Sequence, residues 1–125
     1  MVDIPTVRRL ATELPGAKDS SDETRLVFEV AGRGFAWSYL ERVDPKKPRR
    51  PRLDTLAIRC PIERKEMLIE AAPDRFFDDD HYRGYAALLV RLWVIDEEEL
   101  KPLLTDAWRM MSEKAPARPR KRKTS

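Results

Sequence analysis

Leu100, Leu103, Leu104, Ala107, Trp108 and Met111 recur at spacings of three and four residues, which puts them in one stripe along a single helix. A stripe of that size must be covered by other apolar surface, so the rest of the chain has to supply a sheet or helices to receive it. Asp96 precedes the stripe and Glu99 stands three residues later, the pattern of an N-cap aspartate with an acid at the third helical position. Glu97, Glu98 and Glu99 suit the positive end of the helix dipole. Pro102 either kinks this helix or marks its true first turn. What precedes it is too short and too interrupted for more long helices. Val7, Leu10, Ala11 and Leu14 make a small helical stripe that Pro15-Gly16 stops. Asp19 to Glu23 reads as a polar turn. Leu26 to Val30 and Phe35 to Leu40 read as two strands about the turn Ala31-Gly32-Arg33-Gly34. Leu53 to Cys60 reads as a third strand, with Leu56, Ile58 and Cys60 on one side. A helix opened by Pro61 presents Met67, Leu68, Ala71 and Ala72 and ends at Pro73. Arg75 to Tyr85 reads as a loop, and Ala86 to Val94 as a buried strand. Trp93 and Trp108, among aliphatic residues, are expected in the core. The order α-β-β-β-α-β-α specifies an α+β domain with an antiparallel sheet.

Charge adds a second constraint. Lys and Arg number 25 against 22 Asp and Glu, a net of +3. The segment Lys114 to Ser125 holds six of the basic residues and no acid. Without it, 19 basic residues face 22 acids and the body is at −3. The expected organisation is therefore a domain over residues 1–113 and a basic tail over 114–125. The tail has two prolines and no large apolar residue, so it cannot bury enough surface to order itself. A second basic block, Pro45-Lys46-Lys47-Pro48-Arg49-Arg50-Pro51-Arg52, carries three prolines and reads as an extended, projecting loop.

These two segments are the candidate nucleic-acid contacts: Lys46, Lys47, Arg49, Arg50 and Arg52 in the loop, and Arg118, Arg120, Lys121, Arg122 and Lys123 in the tail. Lys and Arg displace counterions condensed on phosphates, and Arg can fork two phosphate oxygens. Nothing in either segment reads bases, so the expected partner is nucleic acid, DNA in the first instance, bound without sequence preference. The competing reading is a protein-interaction domain whose tail only aids solubility. Trp37, Tyr39 and Tyr85 have ring faces that could stack on unpaired bases, although their surroundings favour packing.

Asp78-Asp79-Asp80-His81 offers oxygen and imidazole ligands of the kind divalent metals take, but neighbours on one loop do not encircle an ion unaided. A solvated acidic loop is the simpler reading, and no cofactor is expected. Catalysis finds little to work with. One His and one Cys are present, and no Ser-His-acid set, glycine-rich phosphate loop or HExxH occurs. Cys60, in a strand pattern just before Pro61, reads as buried and inert. The chain lacks both a signal-like start and a membrane-length apolar run. A soluble, cytoplasmic protein without enzymatic activity is expected.

Taken in order, Leu14-Pro15-Gly16, the run Phe28-Glu29-Val30-Ala31-Gly32-Arg33-Gly34-Phe35-Ala36, Phe76-Phe77, His81-Tyr82-Arg83-Gly84-Tyr85 before Leu89-Val90-Arg91-Leu92, and Leu103-Leu104-Thr105-Asp106-Ala107-Trp108-Arg109 resemble the MmcQ/YjbR family of small bacterial proteins. The resemblance covers roughly Val7 to Ser112. It implies a double-wing fold similar to the frataxin-like (CyaY-like) architecture, and DNA binding without assigned catalytic residues. The frataxin analogy also keeps metal binding by an acidic surface as a distant alternative. The basic loop and tail lie outside the family pattern.

Overall fold

The computed structural model describes residues 1–41, 46–48 and 50–114. Its elements run α1 (Ile4–Thr12), β1 (Lys18–Asp19), β2 (Val27–Val30), β3 (Arg33–Glu41), β4 (Arg50–Arg59), α2 (Ile62–Ala71), β5 (Phe76–Phe77), β6 (Ala87–Arg91) and α3 (Glu97–Lys114). The strands form one sheet in the order β1-β2-β3-β4-β6-β5, every pair antiparallel. The α+β reading holds. Two strands were not expected from the sequence, β1 and β5. Each is only two residues long, and each takes its pairing from a neighbour rather than from an alternating pattern of its own.

Side-chain alternation divides the sheet. The rows Phe28–Ala36–Ile58–Leu88 and Ser38–Leu56–Val90–Phe76 face the helices. There they meet Val7, Leu10 and Ala11 of α1 and Leu100, Leu104, Ala107 and Met111 of α3, forming the main core. α3 lies across β2, β3 and β4, and α1 packs on α3. The row Val27–Trp37–Ala57–Leu89–Phe77 faces the other way. There a second cluster forms from Tyr39, Ala57, Tyr82, Ala87 and Leu89, with Trp37 and Phe77 packed against it. No helix among the described residues covers this face. Its cover comes from the loop following β5, through Tyr82.

Two bulges shape the ladder. Phe28 pairs with Ala36 and Glu29 with Gly34, so Phe35 is an extra residue, and it joins the helix-side core. Farther along, Ser38 pairs with Leu56 but Tyr39 with Arg52. Leu53, Asp54 and Thr55 therefore have no β3 partner, and β4 bends there.

The helix caps follow sequence logic. Asp3 accepts the Thr6 N–H at 3.0 Å and Asp96 accepts the Glu99 N–H at 2.8 Å. α3 begins at Glu97, so Pro102 lies inside the helix rather than in its first turn. Trp93 corrects the expected core: the strand ends at Arg91, the chain turns, and Leu92 and Ile95 point inward while Trp93 is 41% exposed. Trp108 is half-buried, packs on the core, and its Nε1 donates to the Pro15 carbonyl at 2.7 Å.

α2 requires a second correction. Met67 is 68% exposed and Ala71 is also exposed. The inward positions are Lys65, Leu68, Ile69 and Ala72. These fall at i, i+3, i+4 and i+7, a regular stripe headed by a lysine.

Candidate functional site

Lys65 is 2% exposed, and burying an ammonium is costly unless every N–H finds an acceptor. Here all three do. Nζ donates to the Tyr82 carbonyl at 2.8 Å and the Tyr85 carbonyl at 3.0 Å, and pairs with the Asp78 carboxylate at 3.0 Å. One side chain from α2 thus ties down both ends of the loop from Asp78 to Tyr85.

Two further bonds fix that loop to the sheet. The Tyr39 hydroxyl donates to Asp79 Oδ2 at 2.5 Å, and Trp37 Nε1 donates to the Tyr82 hydroxyl at 3.2 Å. Asp79 also accepts the Tyr82 N–H. Burial pushes the Tyr82 phenol above its ordinary range. Gly84, at φ +76°, supplies the left-handed turn that returns the chain toward β6. The acidic run is thereby accounted for: Asp78 pairs with Lys65, Asp79 holds Tyr39, and Asp80 pairs with Arg83 in solvent. Among the described residues no group of three or more His, Cys, Asp or Glu side chains is placed to hold a metal ion. The sequence-level metal reading of this loop finds no support in its geometry.

Between the loop and strands β2 and β3 runs an open groove of about 490 Å³, lined chiefly by Arg25, Trp37, Leu40, Arg59, Tyr82 and Tyr85. Arg59 is its centre. The guanidinium lies 5.1 Å from the Trp37 ring centroid and 4.8 Å from that of Tyr85, and Nε donates to the Gly34 carbonyl at 3.3 Å. Two cation–π contacts and one hydrogen bond hold a cation whose Nη groups have no acceptor among the described residues. Arg91, on the same sheet face, stacks on Phe77 at 4.2 Å, but its Nη1 already donates to the Pro73 and Asp74 carbonyls.

None of the described residues among the sequence-derived nucleic-acid contacts lines this groove. Lys46 and Lys47 are exposed at the tip of the β3–β4 hairpin. Arg50 and Arg52 belong to β4, where Arg52 forks the Asp54 carboxylate through Nε at 2.9 Å and Nη2 at 2.5 Å. The block expected as one projecting loop is thus partly strand, because pairing with Tyr39, Leu40 and Glu41 extends β4 through Pro51. Arg49, Arg118, Arg120, Lys121, Arg122 and Lys123 lie outside the described residues. Trp37 is half-buried, Tyr39 buried and Tyr85 41% exposed. The residues sequence reasoning passed over are Arg59 and Lys65. Arg59 follows Ala57 with strand spacing onto the face opposite Leu56 and Ile58, and that alternation was available as a signal.

Cys60 is buried, and burial pushes its thiol above the ordinary range. No helix among the described residues is long and apolar enough to cross a membrane.

A small α+β domain with one helix-covered sheet face and one open face is the class this architecture defines. The YjbR family model matches residues 12–110, and the chain belongs to the YjbR family. It is similar to the uncharacterised proteins Rv2570 of Mycobacterium tuberculosis and Mb2600 of Mycobacterium bovis, each 42% identical over 50 residues, covering 40% of this chain and 39% of the relative. The match thus spans well under half the length of those relatives. In fold it is similar to the crystal structure of Deinococcus radiodurans protein DR2400, described by a DUF419 family-model domain. The TM-score is 0.68 at 24% identity, covering 91% of this chain and 81% of that one.

Proposed function

We propose that the chain is a non-catalytic nucleic-acid-binding module that works by contacting phosphates, with DNA as the first candidate partner. The observation that carries this reading is the β3–β4 hairpin tip. Lys46 and Lys47 stand exposed there within a block holding five basic residues between positions 46 and 52 and no acid. The basic residues from Lys114 onward add a second positive segment to a body at net −3. Cations concentrated on two short segments of an acidic body support weak, sequence-tolerant association governed by counterion release.

Salt dependence tests the reading. Binding of a random duplex should weaken steeply as salt rises, with a slope of ~0.9 per phosphate neutralised and roughly five to eight contacts. Deleting residues 118–125, or changing Lys46, Lys47, Arg49 and Arg50 to serine, should each lower the slope by ~2–4 units. Arg52 is left intact because Asp54 already occupies it. No binding even at ~50 mM salt, where electrostatic attraction is strongest, would leave protein interaction as the better reading. An unaltered slope in both variants would move the contact surface onto the body.

A further inference from the structure

We infer that the groove on the open sheet face holds one unpaired nucleotide unit, its phosphate on Arg59 and its base against Tyr85. The ligand class rests on the nucleic-acid reading, but the lining residues are not those of the hairpin tip at Lys46 and Lys47.

The first observation is charge. Arg25 and Arg59 line the groove, and none of the described lining residues is an acid. The two guanidinium charges give the described lining a positive potential, which favours an anionic ligand. The second is the state of Arg59. The Trp37 and Tyr85 rings, 6.4 Å apart, flank the guanidinium on adjacent sides, and its Nε donates to the Gly34 carbonyl, which together hold the group in the groove. The outer Nη edge is left for a bidentate oxyanion, the geometry a phosphate group offers. Arg91 makes the comparison: it stacks on one ring, Phe77, and its Nη1 is already directed at the Pro73 and Asp74 carbonyls.

The third observation is the ring surface. Tyr85 stacks on Arg59 yet remains 41% exposed, and Trp37, Val27 and Leu40 extend the apolar wall. Bases stack on such rings without regard to sequence. Inside a duplex the base faces are covered, and reaching one would require extruding it from the stack. The groove therefore fits an unpaired unit. At about 490 Å³ it falls in the size range of small-ligand sites. It is also preformed, since Lys65, Tyr39 and Trp37 each tie the loop that carries Tyr85 to a neighbouring element.

The nucleotide unit could be supplied by a single strand or by a free mononucleotide. Four probes distinguish the cases for the full chain at one fixed salt concentration: an oligothymidylate, the matching duplex, thymidine monophosphate and inorganic phosphate, with affinities read by anisotropy or competition. The single strand should bind more tightly than the duplex. Tyr85→Ala should weaken single-strand binding roughly fivefold to hundredfold, the range for losing one base stack, and Tyr85→Phe should leave it unchanged. Arg59→Lys, which keeps the charge but loses the fork and the stack, should weaken it about tenfold or more, as for losing one hydrogen bond to a charged group. Its thermal midpoint and amide spectrum would show that the sheet is intact. Thymidine monophosphate binding as tightly as the strand would still support the groove and identify the free nucleotide as its source. Inorganic phosphate competing as well as the nucleotide would overturn the base contact. Equal binding of strand and duplex, unmoved by Arg59→Lys and Tyr85→Ala, would overturn the groove assignment while the salt-dependent reading of the basic segments stood.

Discussion

Lys65 Nζ and the Asp78 carboxylate lie 3.0 Å apart, the lysine 2% and the aspartate 30% exposed. This pair joins α2 to the loop bearing Tyr82 and Tyr85, so a buried charge at one edge of the fold sets the position of the groove wall. Lys65→Met preserves much of the chain's bulk but leaves a carboxylate and two carbonyls without their donor. Removing one partner of such a buried pair costs about 3–5 kcal/mol, a large share of a small domain's stability. Urea unfolding followed by tryptophan fluorescence measures it. A loss below ~1 kcal/mol would show that the loop is held chiefly by Tyr39 and Trp37.

The tryptophans at 93 and 108 should behave oppositely. Trp93→Ser changes an exposed turn residue and should stay within about 0.5 kcal/mol of the parent. Trp108→Phe keeps most of the packing and removes the hydrogen bond to Pro15, with an expected cost of about 0.5–1.5 kcal/mol. Thermal midpoints of the two variants, compared side by side, check the order.

Cys60 should resist thiol reagents in the native state. Its thiol is buried and pushed upward, so the reactive thiolate is scarce. Labelling at pH 8 should track unfolding and accelerate with urea. The linkage sign is definite: the folded pKa is raised, so this group's stabilising contribution is complete below the unfolded value of ~8.5 and is lost as pH rises toward the folded value. Fast, single-phase labelling without denaturant would place Cys60 at the surface.

Acid should weaken the fold through several carboxylates together. The Thr6 hydrogen bonds hold the Asp3 carboxyl below its ordinary range, the Thr24 bonds hold Asp22 there, and the Arg52 fork does the same for Asp54. A depressed folded pKa gives stability that is present above the unfolded value of ~3.9 and disappears as pH falls through the folded value. Asp54→Asn should therefore lower the urea midpoint at pH 6 and converge on the parent near pH 2. A constant difference between the two proteins across that range would rule out the charge as the cause.

The helical stripe of α3, its Asp96 cap and the inward side of β4 were legible because each repeats with a fixed period. The phase of α2 was not. A search for apolar periodicity passes over Lys65, although it heads the stripe completed by Leu68, Ile69 and Ala72, and picks Met67 instead. Trp93 was misplaced because an apolar run shows no sign of where its strand stops and the chain turns. β1 and β5 depend on partners distant in sequence. As for the groove, Arg59 and Tyr85 are 26 positions apart, and only the Asp78–Tyr85 loop folding back over the sheet makes them neighbours. Nothing local in either segment records that contact.

The three residues of β4 that lack a β3 partner, Leu53 to Thr55, divide the long hairpin into two independently registered lengths. In an unbroken ladder, adding or losing one residue near the tip would pass a face reversal down the strand. Here Ala57 is paired on both sides, with Trp37 and with Leu89, and the break at Ser38/Tyr39 absorbs a slip before it reaches that row. Descendants of this chain could lengthen, shorten or recharge the hairpin tip and still inherit the same open face, so one part of the hairpin is free to diversify while the other is conserved in shape.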